Sequence, residues 1–230
     1  MQNRIAYCTY CGRRKADTDD HIPPVCLFPP PRPADLIKVP CCSVCNNRAS
    51  KDDEYFKTWL VLRHDISEHP AGSKLLPSVY RALAYPRGRG LLKRLSRSMR
   101  RAPVYTPAGL YLGDAPTYDV DLDRLGKVTN RIVRGLFYSE FHRPLPETYG
   151  VRSYAESGFR HLTFDQRGIL NEVTRTLSST PPRVIGDRVF EYRFRSVPED
   201  VNTTGWLLRF FESELFFCVS AQNHGTPPAA

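Results

Sequence analysis

The second half of the chain shows the most regular alternation of apolar and polar residues. A period of two predicts strands, and apolar residues that recur every three or four positions predict helices. Strands are predicted in residues 103–113 (strand, turn, strand), 183–197 and 205–221 (two strands joined at Glu212–Glu214), and helices in residues 122–141 and 164–177. Together they predict an α+β module over residues 103–230, whose tail, HGTPPAA, should be loose.

A further helix is predicted near the end of the first quarter of the chain. It begins near Asn46 or Asn47 and continues to Ile66, with Tyr55 and Trp59 among the apolar residues at helical spacing. Its early turns, where the helix dipole favours negative charge, contain three acids: Asp52, Asp53 and Glu54. Before this helix, residues 27–35 (LFPPPRPAD) hold four prolines and predict a rigid extended loop.

The segment between these regions is strongly basic. Residues 70–113 contain nine Lys or Arg residues and no acid. Residues 86–90 (PRGRG) predict a break, and residues 91–101 (LLKRLSRSMRR) predict an amphipathic helix with Leu and Met on one face. We expect this segment to bind a nucleic-acid backbone, although a solvated face or an internal contact with acidic residues would give the same pattern. The candidate nucleic-acid-binding residues are Arg87, Arg89, Lys93, Arg94, Arg97, Arg100 and Arg101.

Composition is consistent with a folded protein that binds a polyanion. The 230 residues are 41% hydrophobic and 25% charged, enough to bury a core. With 33 Lys and Arg against 24 Asp and Glu, the formal net charge is +9, which favours a nucleic-acid partner weakly. The chain has no run of 18 apolar residues and no secretory signal, so we expect a cytoplasmic protein without a membrane partner. There, clustered cysteines should bind metal rather than form disulfides.

Six of the seven cysteines lie before residue 46. They include two C-x2-C pairs, Cys8/Cys11 and Cys42/Cys45, which can supply four thiolates to a tetrahedral Zn²⁺. Cys41 could replace Cys42, but the two-residue spacing of the first pair favours Cys42. A four-thiolate site leaves no open coordination position, so the zinc would be structural. The alternative is a chance cluster of buried thiols, and the remaining cysteines, Cys26 and Cys218, are interpreted as small apolar residues.

The residues around the two pairs resemble a known family. The string DHIPP (20–24) between the pairs, and the step from Cys45 to Asn46 after the second, are similar to those of zinc-knuckle HNH endonucleases. The resemblance covers about residues 5–56. It implies a ββα-metal fold in which an acid–His pair on a strand precedes a loop and a helix.

The resemblance also implies roles for individual residues. His21 would be the general base that activates water, and Asp20 and Asn46 would bind a catalytic Mg²⁺ or Mn²⁺. Asp35 stands near the position of the family's middle Asn, which orients the histidine; Asp can only accept the hydrogen bonds involved. In an alternative interpretation, His21 is exposed to solvent or supports the zinc site, and Asp20 and Asn46 have turn or capping roles. If Asn46 caps the helix, Asn47 would be the metal ligand instead.

The prediction as a whole is an α+β protein in three parts. A zinc-knuckle ββα-metal module over residues 1–69 is followed by a basic helical connector, 70–102, and the module over 103–230. The predicted activity is hydrolysis of DNA, with double-stranded DNA first and RNA left open. Two alternatives are a non-catalytic zinc-ribbon protein that binds nucleic acid, and a defence effector gated through residues 103–230 by a regulator or partner protein. Oligomeric state is left open.

Overall fold

The computed structural model describes residues 6–106, 108–156 and 163–223. Its elements are mixed helix and strand, which confirms the α+β prediction. The tail from residue 224 lies outside the described ranges.

Two strands and a helix follow one another after the first cysteine pair. Strands β1 (Thr18–Ile22) and β2 (Ile37–Cys41) pair antiparallel, with Asp20 opposite Val39 and His21 opposite Lys38. Helix α1 (Ser43–Val61) follows at once, with Cys42 as its N-cap. This is the strand–strand–helix order that the resemblance implies. The predicted start near Asn46 is wrong because the second cysteine pair itself forms the first turn.

The next segment is helical and ends in a hairpin. Helices α2 (His64–Ser67), α3 (Pro70–Ala84) and α4 (Arg89–Ser98) precede strands β3 (Arg100–Tyr105) and β4 (Tyr111–Thr117). The helix predicted to reach Ile66 ends at Val61 instead, because Arg63 is extended (ψ 139°). The basic helix also ends early. Met99 is extended, and Pro103 excludes a helical continuation, so Arg100 and Arg101 belong to β3.

The C-terminal region is a sheet with a helix on each side. Helix α5 (Leu122–Phe141) and helix α6 (Phe164–Ser178) match the predicted ranges closely. Five antiparallel strands lie in the order β5-β9-β8-β7-β6: β5 (Tyr149–Ala155), β6 (Arg183–Ile185), β7 (Phe190–Val197), β8 (Asp200–Phe210) and β9 (Glu214–Gln222). The single strand predicted at 183–197 is divided by a turn, where Gly186, Asp187 and Arg188 all have positive φ. Strand β5 was not predicted.

One hydrophobic core extends through all three predicted segments. Helix α5 packs against α1, against the β1–β2 hairpin and against the large sheet. Gly135 permits the close approach to β1, since a Cβ there would lie 2.5 Å from the Ile22 side chain. Helix α6 covers the other face of the sheet, where Leu170 and Leu177 pack with Leu207 and Phe217. The α1 helix therefore sits in the same core as the C-terminal sheet.

Phe56 joins these two parts most directly, and its removal is a test of the shared core. The ring is fully buried and lies 5.2 Å from the Phe210 ring and 5.7 Å from the Phe216 ring. We expect Phe56→Ala to lower the free energy of unfolding by about 3–5 kcal/mol and to shift a single thermal transition. Tyr154→Ala, at a ring that is 39% exposed, is the control and should cost far less. A variant in which only part of the secondary structure melts early would contradict the shared core.

Candidate metal centre and the surroundings of His21

The four cysteines of the two C-x2-C pairs converge. The sulfurs of Cys8, Cys11, Cys42 and Cys45 all lie within 4.8 Å of one another, and those of Cys11 and Cys42 are 4.0 Å apart. In a tetrahedral thiolate site with Zn–S bonds of about 2.3 Å, sulfurs are separated by about 3.8 Å. The cluster therefore fits a structural metal ion such as zinc.

Local backbone geometry builds each half of this cluster. In the first pair, the N–H of Gly12 donates to the carbonyl of Cys8 (2.9 Å), and Gly12 adopts a positive φ of 60°. Such a turn favours glycine, which carries no Cβ. The second pair forms the start of α1. The halves are joined because the N–H of Thr9 donates to the carbonyl of Pro40 (2.9 Å) at the end of β2.

Cys41 lies beside the cluster and outside the tetrad. Its Sγ donates to the carbonyl of Cys42 (3.3 Å), and burial raises the pKa of its thiol. By contrast, the backbone N–H of Arg13, helped by that of Arg14, lowers the pKa of Cys11 to about 6, against the effect of burial. This difference favours a thiolate at Cys11. The preference for Cys42 over Cys41 is confirmed by the geometry of the tetrad.

Asp20 belongs to a buried network of charges. Its carboxylate accepts a hydrogen bond from the hydroxyl of Tyr10 (2.6 Å) and forms an ion pair with Nε of Arg131 (3.3 Å) on α5. Nη2 of Arg131 also donates to both carboxylate oxygens of Asp53 (2.8 and 2.7 Å) on α1. Burial raises the pKa of Asp53 to about 6, although Arg131 opposes the shift. Arg131 thus links β1, α1 and α5.

His21 lies on the other face of β1. Asp20 is buried against the helices, whereas His21 is half-buried and stands opposite the exposed Lys38 across the hairpin. Burial lowers the pKa of the imidazole, and Lys38 and Arg32 lower it further, while Asp20 and Asp19 act in the opposite direction. At neutral pH the ring is therefore mainly unprotonated and able to accept a proton.

The side chains of Asn46 and Asp35 form hydrogen bonds within the fold. The Asn46 amide donates to Thr18 Oγ1 (3.3 Å) and to the carbonyl of Asp19 (3.4 Å), so its side chain lies against β1. It lies inside α1, because its N–H donates to the carbonyl of Cys42, and the capping alternative is wrong. Asp35 accepts a hydrogen bond from the N–H of Gly186 (3.2 Å), in the turn between β6 and β7. The roles predicted for both residues stay predictions.

A divalent ion between Asp20 and Asn46 does not fit this arrangement. The Asp20 carboxylate is neutralised by Arg131 and accepts a hydrogen bond from Tyr10. The Asn46 amide is directed at Thr18 and Asp19, the two residues that precede Asp20 in β1. A metal ligand needs its oxygen lone pairs directed at the ion rather than at a buried cation. Any ion at Asp20 would have to displace the guanidinium first.

Several residues of this site were not predicted. No sequence motif indicated a role for Tyr10, Arg131, Lys38 or Arg32. Asp52 and Asp53 are not in early turns of α1 but near its middle, where they pair with Arg124 (2.6 Å) and Arg131 (2.7 Å) of α5. A signal was present, because two arginines seven residues apart share one face of a helix.

The basic candidates fall into two groups. Arg94 pairs with Asp121 (3.2 Å), Arg100 with Asp119 (2.8 Å), and Arg101 donates to the carbonyl of Asp114 (3.0 Å). These three therefore have partners within the fold. Within the described ranges, no salt bridge involves the exposed side chains of the other four: Arg87, Arg89, Lys93 and Arg97. These four remain available to an anionic partner.

Comparisons with known protein families, curated proteins and solved structures found no match for this chain. None of the helices in the described ranges combines the length and apolar character that a bilayer span requires.

Proposed function

We propose that the protein is a metal-dependent endonuclease of the HNH type that hydrolyses DNA, with His21 as the general base. The observation that carries the proposal is the environment of His21 on the strand–strand–helix motif. The imidazole is half-buried, its pKa is lowered, and Lys38 and Arg32 lie near it. An unprotonated imidazole beside two cations suits the attack of water on a phosphodiester.

The cations and the base have complementary tasks. Lys38 and Arg32 attract the phosphate and offset the negative charge that grows on it during hydrolysis. His21 takes the proton from the attacking water. Because Lys38 also disfavours a second positive charge nearby, the same residue keeps His21 in its basic form.

The four-cysteine cluster holds Zn²⁺ in this proposal. The ion has a structural role, because four thiolates fill its coordination sphere. It fixes the knuckle of Cys8 and Cys11 against the first turn of α1, next to β1 and β2. The zinc therefore sets the position of His21 without taking part in the reaction.

The catalytic ion of the proposal, Mg²⁺ or Mn²⁺, rests on the resemblance alone. Carboxylate and amide oxygens are the ligands that such hard ions prefer, and Asp20 and Asn46 offer one of each. The contacts of Asp20 with Arg131 and Tyr10 oppose an ion there.

The unpaired cations of the connector are proposed to bind the DNA backbone. Arg97 is exposed on α4 and lines a cleft of about 550 Å³ whose wall also contains Lys93 and the ion-paired acids Asp119 and Asp121. We expect Arg97→Gln to weaken binding of a duplex equally for all sequences and to lower the slope of log K against log salt by about 0.9. Arg152→Gln removes the same charge from β5 and is the control. Titration by fluorescence anisotropy at several salt concentrations gives both values, and equal slopes for the two variants would exclude this surface.

A second candidate function is binding of nucleic acid without cleavage. The observation in its favour is the burial of Asp20 in an ion pair, which is a structural role. A protein of this kind would bind DNA through the same cations but leave it intact. Removal of zinc would then abolish binding, and no metal would produce cleavage.

The experiment that separates the two is a cleavage assay on labelled substrates. Zinc-loaded protein is incubated with duplex DNA, single-stranded DNA and RNA, with Mn²⁺, with Mg²⁺ or with EDTA. The proposal expects products from duplex DNA that require the divalent ion. Binding of duplex DNA without products under any condition would favour the second candidate.

A further inference from the structure

Two carboxylates and one guanidinium meet in the interior between β1, α1 and α5. The side chains are almost withdrawn from water, with exposed fractions of 8% for Asp20, 16% for Asp53 and 11% for Arg131. A buried carboxylate requires a counter-charge, and here one cation serves two acids. The two carboxylates and the guanidinium together carry one net negative charge. A divalent ion in place of the guanidinium would make the cluster neutral.

The guanidinium stands where both carboxylates converge. Nη2 of Arg131 is 2.7 Å from a carboxylate oxygen of Asp53, and Nε is 3.3 Å from one of Asp20. Nε is buried and makes no hydrogen bond within the described ranges, so Arg131 holds Asp20 by charge. The Tyr10 hydroxyl (2.6 Å) and the N–H of His21 (2.9 Å) donate hydrogen bonds to the same carboxylate. The guanidinium thus contributes the counter-charge, which another cation can also supply.

We infer that Arg131 acts as a built-in cation that occupies the Asp20 carboxylate and excludes a divalent ion until the guanidinium moves away. The inference rests on the proposed function and concerns the regulation of that site. It explains why the ligand predicted at Asp20 is engaged in this arrangement. It also assigns the gate to α5, which belongs to the predicted C-terminal module.

The guanidinium borders a cleft that Asp20 itself does not line. This cleft of about 320 Å³ lies between α1 and α5, and Tyr10, Asp53 and Arg131 form part of its wall. The cleft is also lined by Arg48 and Lys127, which are exposed. An anion drawn in by these two residues would offer the guanidinium another partner, because arginine binds phosphate in a bidentate manner. The carboxylate of Asp20 would then keep its hydrogen bonds from Tyr10 and from the His21 N–H but lose its counter-charge, which the ion would replace.

The test is Mn²⁺ binding by the zinc-loaded protein, measured without DNA by electron paramagnetic resonance. We expect Arg131→Met to bind one Mn²⁺ about tenfold more tightly than the unmodified protein, because the competing cation is gone. The tighter binding should disappear in Arg131→Met/Asp20→Asn. Because Arg131→Met leaves two buried carboxylates without their counter-charge and can lower stability, Arg131→Lys is measured as well. Lysine cannot bridge both acids, and we expect intermediate affinity.

Arg134→Met is the matched control. It lies one turn further along α5 and lines the same cleft, but it donates to the carbonyls of Leu145 and Tyr149 and to Asn130. Its loss should leave Mn²⁺ affinity unchanged. The inference is overturned if folded Arg131→Met and Arg131→Lys bind Mn²⁺ no more tightly than the unmodified protein, or if Arg134→Met has the same effect. Because the Mn²⁺ binding measurement contains no DNA, a failure to cleave DNA in a separate assay would contradict the nuclease proposal and leave the Mn²⁺ affinities unchanged.

Discussion

Replacement of Cys42 by serine is expected to release the metal ion and unfold the region around β1, β2 and α1. Cys42 contributes one of the four clustered sulfurs and is also the N-cap of α1, so both the cluster and the helix start depend on it. Structural zinc in small modules contributes an apparent free energy of about 10–16 kcal/mol, far more than any single core side chain. We expect a purified Cys42→Ser protein with less than one zinc per chain and a strongly lowered midpoint of thermal unfolding.

Cys41→Ser is the matched control, because it changes the neighbouring residue in the same way. Cys41 is fully buried and its Sγ donates to a backbone carbonyl, a contact that a serine hydroxyl can keep. This variant should retain one zinc and unfold near the midpoint of the unmodified protein. Zinc content is read by elemental analysis and unfolding by circular dichroism. Equal zinc content in Cys42→Ser and in the unmodified protein would show that Cys42 is not a required ligand of the ion.

Loss of the His21 imidazole is expected to have the largest effect on activity. A general base contributes about 10²–10⁴-fold to a rate, so His21→Ala should reduce the rate of DNA hydrolysis by that factor while duplex binding changes little. His64→Ala is the control, since the side chain of His64 is 87% exposed on α2 and pairs only with the neighbouring Glu68 among the ion pairs of the described residues. A His21→Ala protein that cleaves as fast as the control would exclude His21 as the base.

The pH dependence gives a second readout of the same residue. The general base works unprotonated, and burial together with Lys38 and Arg32 lowers the pKa of His21 below its ordinary value of 6.5. The rate should therefore fall as the pH drops through this lowered pKa and should be level at neutral pH. In Lys38→Ala the pKa rises, so the acidic limb moves to higher pH. If the rate of Lys38→Ala falls at the same pH as that of the unmodified protein, another group determines the pH dependence.

The elements with a long and regular apolar period were predictable from the sequence. Helix α5 occupies its predicted range, because twenty residues of helical periodicity outweigh local ambiguities. The tetrad was predictable for a different reason: the spacing of C-x2-C is itself a consequence of tetrahedral coordination. Strand β5 was not predicted because its apolar and polar residues do not alternate clearly. Its place depends on pairing with β9, more than sixty residues away.

The contact between Asp20 and Arg131 could not be predicted, since it depends on which helix packs beside β1. Asp20 and Arg131 are more than one hundred residues apart, and the α5 helix reaches Asp20 only because Gly135 lets it approach Ile22. The contact between Asp35 and Gly186 is of the same long-range kind. By contrast, the opposite directions of Asp20 and His21 follow from the two-residue period of a strand.

Plasmid cleavage tests the central claim most directly. Supercoiled plasmid is incubated with zinc-loaded protein at millimolar Mn²⁺, in parallel with EDTA and with His21→Ala, and relaxed and linear forms are separated on a gel. The account predicts nicking that requires the divalent ion, disappears in His21→Ala and is faster in Arg131→Lys at limiting Mn²⁺. Intact plasmid with the folded, zinc-loaded protein and with Arg131→Lys alike, despite binding of DNA, would contradict it.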